Sequence, residues 1–325
     1  MSEDTLNPHY DAVVIGGGAA GLSGALMLAR ARRGTAVIDA GHPRNAPAAG
    51  VHGLLGREGT PPLELVAQGR AEVRSYGAHT ITGEVVTTTR NPTGDFTVTL
   101  ADGRTTTARR LLITTGLEDV LPDIPGARAL WGTDLIHCPY CHGYEVRDQP
   151  LGVIATGPMS VHQALLFRQW TPDLILFTHD QPLPSEEDTE KLTARGIQVI
   201  PGPIASLDTA DNRLTAITLR DGRSIPRTAA ATATGMRAQA GFIADLSLTL
   251  APHPSGMGHH LPTDPMGKTT TEGVWAAGNV TDLTAQVGAA AAGAALAAAH
   301  LNMDLITEET QAAVDAHRER ATTAG

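Results

Sequence analysis

YDAVVIGGGAAGLSGALMLARARRGTAVID, residues 10–39, decides how the rest of the chain is read. Tyr10 to Ile15 is a short β-rich run that ends in Gly16-Gly17-Gly18-Ala19-Ala20-Gly21. A helical pattern follows through Arg33, then a second strand from Thr35 to Ile38, closed by Asp39 and Ala40. Strand, glycine turn, helix, strand and acid in this order form a dinucleotide-binding signature, which the glycines alone would not. Gly16 permits the tight turn, Gly18 lets the backbone approach a pyrophosphate, and Gly21 lets helix and strand pack closely. Ala19 and Ala20 open the helix, whose N-terminus presents partial positive charge to phosphate. Asp39 is placed to accept from ribose hydroxyls.

The plan recurs. Leu151 to Ala155 reads as a strand, Thr156 to Met159 as a turn, Ser160 to Trp170 as a helix and Leu174 to Thr178 as a strand. Downstream, ADGRTTTARRLLITTG (101–116) and RDGRSIPRTAAATATG (220–235) each read as an Asp-Gly hairpin turn, a strand and a Thr-Gly ending. The expected fold class is therefore α/β, with two Rossmann-like, three-layer ββα nucleotide-binding domains. Loop-forming segments at Leu117 to Gly126 and Asp245 to Pro265 mark the crossings. The expected domains are 1–118 with 245–325, and an inserted domain at 119–244. The chain returns in GVWAAGNVTDLTAQVGAAAAGAALAAAHL, a strand, a Gly-Asn turn and an Ala-rich helix expected to start near Asp282.

With 42% hydrophobic but 3% aromatic residues, the cores must be packed from aliphatic and small side chains. A formal charge of -10 argues against a nucleic-acid partner. No basic region precedes the first apolar run, and Gly288 to Ala299 is too short and too weakly apolar to span a bilayer. A cytoplasmic protein without a membrane partner is expected.

The two cysteines lie in HCPYCHGYE, residues 137–145. Half a zinc site, a haem attachment site, a structural staple and a redox pair all fit these nine residues. Zinc needs four ligands, and the adjacent pairs His137-Cys138 and Cys141-His142 are badly placed for one tetrahedron. Haem attachment belongs to exported proteins, and a reducing compartment has little use for a staple. A redox pair is favoured, with His142 as first candidate and His137 as second for moving its protons. Pro139 and Tyr140 shape the turn, while His52 and the His259-His260 pair are candidates for lining a substrate pocket.

GGGAAG near the start, TTG at 114–116, Cys-x-x-Cys and AAGNVTD at 276–282 together resemble the low-molecular-weight thioredoxin reductase family of flavoproteins. The resemblance covers nearly the whole chain. It implies FAD in the outer domain, held by the glycine turn with Thr115, Gly116, Gly278 and Asp282, the last on the ribityl chain. Gln286 and Val287 occupy the first turn of the final helix, with Ala285 where the family typically carries Arg. It also implies a homodimer.

Departures from the family carry as much as the matches. The second turn, Ala155-Thr156-Gly157-Pro158-Met159-Ser160, lacks its first glycine, and Pro158 removes an amide donor. FTHDQPLPSEED after the next strand has no arginine and four acids, the wrong charge for a 2′-phosphate. NADPH is therefore not expected. CPYCHGYE, with histidine directly after the second cysteine, and RNAPAAGVHGLLGREG (44–59) resemble the dithiol oxidases that close gliotoxin, holomycin and romidepsin, above all the bacterial holomycin type. That resemblance implies a small-molecule dithiol substrate, attack on Cys138, release of Cys141 and passage of two electrons through FAD to O2, giving hydrogen peroxide. With no NADPH to admit, the inserted domain is expected to keep a fixed arrangement with the cysteines against the flavin. The rival readings are a disulfide reductase fed by ferredoxin or another protein donor, and a protein that keeps FAD only for structure.

Overall fold

A computed structural model describes residues 5–323. The first unit opens with β1 (His9–Ile15), α1 (Ala19–Arg30) and β2 (Thr35–Asp39). After a loop come α2 (Pro62–Ser75), β3 (His79–Thr82), β4 (Val85–Arg90), β5 (Phe96–Leu100), β6 (Thr105–Ile113) and β7 (Leu117–Val120). The second unit continues with α3 (Ala127–Leu130), β8 (Leu135–Ile136), α4 (Pro139–His142), β9 (Leu151–Ile154), α5 (Ser160–Phe167), β10 (Leu174–Phe177), α6 (Glu186–Ala194) and β11 (Gln198–Ile200). It closes with β12 (Ile204–Ala210), β13 (Arg213–Leu219), β14 (Ser224–Pro226) and β15 (Ala229–Thr232). The chain returns through β16 (Gly235–Ala238), β17 (Ala251–Pro252), β18 (Gly258–His260), β19 (Val274–Ala276) and α7 (Val287–Thr323).

In unit 1 the sheet runs β3-β2-β1-β6-β5-β4, with β19 also on β6. Strands β3, β2, β1, β6 and β19 are mutually parallel, whereas β5 and β4 form an antiparallel extension. The period-two pattern of β1 sorts its side chains onto two layers. Ala12 and Val14 join α1 and α7 in one core, and Val13 and Ile15 join Phe96, Val98 and Phe242 in the other. Small residues let the two helices close up: a Cβ on Gly24 would lie 3.2 Å from the Ala294 carbonyl oxygen. Unit 2 carries a parallel sheet ordered β11-β10-β9-β15-β8 and an antiparallel sheet β12-β13-β14. The α/β class with two Rossmann-like units is what the repeated pattern implies.

The two Asp-Gly hairpins are built alike in detail. Arg104 donates its amide and Nε to the Asp102 carboxylate at 3.0 and 2.8 Å, and its guanidinium reaches the Thr82 carbonyl. Arg223 repeats this on Asp221 at 3.0 and 2.8 Å and reaches the Pro201 carbonyl. Beyond the turns the two copies diverge. Thr105–Ile113 is one strand that bridges the meander and the central sheet, whereas its counterpart is broken into β14 and β15 in separate sheets. Pro226, which has no amide to donate to a ladder, stands at the break.

Unit 1 comprises Met1–Arg44, Leu63–Glu118 and Met236–Gly325, and unit 2 comprises Asn45–Pro62 and Asp119–Gly235. This division differs from the expected one in two respects. The return falls at 235/236 rather than 244/245, because Met236 onward re-enters unit 1: Ala238, Ala240, Phe242 and Ile243 all pack into its first core. Residues 45–62 belong with unit 2, where a Cβ on Gly132 would lie 2.7 Å from Pro47.

The last helix also departs from expectation. It starts at Val287, not near Asp282, because residues 279–285 are tied into a turn. The Asp282 carboxylate accepts the Thr284 amide at 2.9 Å and its hydroxyl at 2.6 Å, and the Asn279 side chain donates to the Asp282 and Ala285 carbonyls. At 37 residues α7 is, by length and composition, the one helix among those described that could cross a membrane. Its Ala290, Ala294, Ala297, Ala298, Leu301 and Leu305 are instead buried in the core of unit 1.

Candidate active site

Gly16 takes φ +102°, in the left-handed region that favours glycine, directly after β1. A Cβ on Gly21 would stand 1.8 Å from the Gly16 carbonyl oxygen, so only glycine lets α1 meet the strand this closely. A Cβ on Gly18 would have no atom within 4 Å, and no side chain caps α1. The head of α1 therefore borders open space at Gly18, the environment a pyrophosphate needs. These residues fit the phosphates of FAD.

Asp39 does more than wait for a ribose. Its Oδ1 accepts the Gly17 amide at 2.9 Å and its Oδ2 is ion-paired with Arg70 on α2. Arg70 is a partner that the sequence reading missed. Ala40, beyond the end of β2, is exposed. Thr114, also missed, stitches the turn from below: its hydroxyl donates to the Ile15 and Gly16 carbonyls at 3.0 and 2.9 Å. Thr115 donates its hydroxyl to the Gln239 carbonyl, and the Gly116 carbonyl accepts the Gln239 amide at 3.0 Å. Gly278 reaches the glycine turn, since its Cβ would lie 2.8 Å from that of Ala20. Asp282 is exposed, and Gln286 precedes α7 and accepts the Ala290 amide at 2.8 Å, leaving Val287 as the first helical residue. Of the His259-His260 pair, His259 is exposed on β18, while His260 donates Nδ1–H to the Thr281 carbonyl at 2.6 Å and meets His253 edge to face.

In unit 2, Cys138 and Cys141 are joined as a disulfide across α4. Pro139 at the first helical position costs no hydrogen bond, because that amide has no partner in any helix. Tyr140 is exposed and stands edge-on to Trp170. His137 donates Nδ1–H to the Thr232 carbonyl at 3.1 Å, and its own carbonyl accepts from Gln163 at 2.9 Å. His142 is different: both ring nitrogens are buried and neither has a hydrogen-bond partner among the described residues. Burial pushes its imidazolium form below the ordinary histidine range, with Glu145 pulling back upward and His52 and His137 pushing further down. A neutral, unengaged imidazole next to a cysteine pair is equipped to take a proton.

His52 lies near this helix, with Nδ1 2.6 Å from Glu58 and Nε2 3.5 Å from Glu145. The second nucleotide-type turn is closed by its own helix. Ser160 Oγ accepts the Thr156 and Gly157 amides at 3.0 and 3.3 Å, and the Thr156 hydroxyl donates to the Ala233 carbonyl at 2.8 Å. Amides that would meet a pyrophosphate are thus already engaged.

Known proteins place these features in a lineage. Thioredoxin reductase tcpT of Claviceps purpurea is 39% identical over 159 residues, 48% of this chain and 50% of the relative. Thioredoxin reductase sirT of Leptosphaeria maculans is 32% identical, covering 61% of this chain and 64% of the relative. The chain thus spans about half to two thirds of the length of these curated relatives. The crystal structure of HlmI superposes with TM-score 0.91 at 43% identity, over 98% of this chain and 99% of that one. The fold these proteins share implies FAD binding. Residues 10–313 match the family model described as pyridine nucleotide-disulphide oxidoreductase, and the chain belongs to that family of oxidoreductases.

Proposed function

We propose that the protein is a dithiol oxidase that closes a disulfide within a small molecule, using Cys138 and Cys141 as its exchange pair. The observation that carries this reading is the pairing of a Cys-x-x-Cys-His site with a second nucleotide turn whose amides are capped by Ser160. The likeness to HlmI along nearly the whole of both chains supports it.

Exchange begins when a substrate thiolate attacks Cys138 Sγ, breaking the Cys138–Cys141 bond and releasing Cys141 as a thiolate. The second substrate thiol attacks the substrate sulfur of the mixed disulfide, which closes the product ring and frees Cys138. The substrate loses two electrons and two protons, and the cysteine pair gains the electrons. His142 takes a proton from an attacking thiol, since thiolate rather than thiol is the nucleophile. Gly16, Gly18, Ala19, Ala20, Gly21, Thr115, Gly116, Gly278 and Asp282 would hold FAD, which when bound would supply a two-electron acceptor for the reduced pair, with O2 as the final oxidant, reduced to hydrogen peroxide. Asp39 and Arg70 lock the glycine turn. Partners in this reading are the dithiol and a second copy of the chain, in the cytoplasm, with no nucleic acid or membrane.

A second reading is favoured by the relatives' own names: a disulfide reductase, here fed by a protein donor such as ferredoxin in place of NADPH. One assay separates them. The yellow protein is mixed with a small dithiol in air, without nicotinamide, and peroxide is measured. Turnover that vanishes in Cys138→Ser and in Cys141→Ser supports the oxidase. No peroxide, together with thiol formation driven by reduced ferredoxin, supports the reductase.

A further inference from the structure

Residues 51–60 form a closed loop. The Val51 amide donates to the Thr60 carbonyl and the Gly59 amide to the Val51 carbonyl, each at 2.8 Å, over the buried side chain of Val51. Glu58 spans the loop, accepting the Gly53 amide on Oε2 at 2.8 Å and facing His52 Nδ1 with Oε1 at 2.6 Å. The opposite edge of the same ring faces Glu145, Nε2 to Oε1 3.5 Å. Glu58, His52 and Glu145 therefore stand in a row, the first two hydrogen-bonded and the third within ion-pair distance of the ring, and all three belong to unit 2.

Glu145 follows His142 by three residues, and the charged and titratable groups that act on His142 are Glu145, His52 and His137, beside the cysteine pair itself. An exposed glutamate with no anchor samples many rotamers, and its pull on a neighbouring imidazole averages down. A glutamate that faces a histidine anchored by a second glutamate has a fixed partner to pair with when that histidine is protonated. Burial sets the direction for His142, and because the ring has no hydrogen bond of its own, neighbouring charges trim its proton balance from there.

We propose that residues 51–60 are a positioning strap in which Glu58, acting through His52, holds Glu145 beside His142 and so sets the proton balance of the base serving the cysteine pair. The proposal rests on the assignment of His142 as that base. His52, Glu58 and Glu145 are positioning residues and touch no reacting sulfur in this scheme.

The test is a pH titration of the His142 ring by NMR in the oxidised, FAD-loaded, full-length protein, with its signal assigned by His142→Gln. Glu58 and Glu145 are exposed, so Glu58→Gln and Glu145→Gln leave the fold intact. Glu58→Gln is expected to move the His142 midpoint by about half a unit, and to move it no further in a His52→Ala or Glu145→Gln background. Glu145→Gln alone is expected to lower the midpoint, because an attraction for the imidazolium is lost. A midpoint unchanged by Glu58→Gln, or shifted equally with His52 absent, overturns the strap as a positioning device. Because no substrate is present, coupling found in a protein that makes no peroxide counts against the oxidase reading alone. Peroxide formation without coupling counts against the strap alone.

Discussion

Ser160 Oγ accepts the amide of Thr156, four residues earlier, at 3.0 Å, and so caps the turn that leads into its own helix. A turn satisfied from within has fewer donors to offer a pyrophosphate, and the acids of Glu186, Glu187 and Asp188 in the first turn of α6 add the wrong charge for a 2′-phosphate. Under anaerobic conditions, stoichiometric NADPH is therefore expected to leave the flavin absorbance unchanged over minutes, while a small dithiol bleaches it. Bleaching by NADPH within seconds would end the proposal that the second nucleotide site is idle.

Gly18 and Gly21 make a discriminating pair. Gly18→Ala introduces a methyl into open space and is expected to leave the apoprotein folded but to weaken FAD retention about tenfold, roughly 1.4 kcal/mol. Gly21→Ala drives its methyl into the Gly16 carbonyl oxygen and is expected to lower the melting temperature of the apoprotein as well. Flavin content by absorbance and thermal unfolding of stripped protein separate the two effects. Equal losses of stability in both variants would contradict this account of the turn.

His142 carries a pH signature with a definite sign. Its folded-state value is lowered by burial, so the neutral base persists at pH 7 and is lost only as pH falls below the usual value of about 6.5. Thiol-exchange rate is expected to decline on that acid limb. Stability falls on the same side, since the unfolded chain binds the proton first. His142→Gln is expected to slow exchange by about 10²- to 10⁴-fold and to remove the acid limb. Stopped-flow exchange with a model dithiol across pH checks both, and an unaltered acid limb in the variant would assign it to another group.

The middle of α7 is clamped by arginines, Arg33 from the connection between α1 and β2 and Arg109 and Arg110 from β6. Arg33 and Arg109 meet Glu309 at 2.5 and 2.7 Å, and Arg110 meets Asp304 and Glu308 at 2.7 and 2.5 Å. Arg33 first, and then Arg109, holds the Glu309 carboxyl down to about 2. The stabilisation is complete above the ordinary glutamate value of about 4.5 and disappears as pH falls through about 2. Glu309 is half exposed and screened, so Glu309→Gln is expected to cost about 1 kcal/mol or less at pH 7 and nothing near pH 2. Urea unfolding at pH 7, 4 and 2.5 measures this, and a cost independent of pH would show that charge is not its source.

Much of the fold was legible because its signals are local. The GGGAAG turn after a short β-rich run, and the paired DGR hairpins, are short-range patterns that the backbone must answer in one way. The departures arose where distant packing decides. Pro226 splits a strand that its twin keeps whole, and the Asp282 and Asn279 bonds delay α7 by five residues. At the candidate site, Cys138, Cys141 and His142 could be found because their spacing is itself the signal. Thr114, Arg70, Glu58 and Glu145 act on residues far away or across a loop, and a hydrogen bond that closes across a fold leaves no period in a sequence. Of the two adjacent histidines at 259 and 260, strand alternation turns only one inward.

Residues 45–62 have a consequence for anyone who takes the molecule apart. The stretch from Asp119 to Gly235 looks like a cassette, one continuous segment that could be cloned or swapped between enzymes. Excised that way it would keep both cysteines and lose His52 and Glu58, because those are encoded some sixty residues upstream of its first codon. A chimaera that transplants the cassette without its upstream companion inherits the sulfur chemistry with foreign tuning.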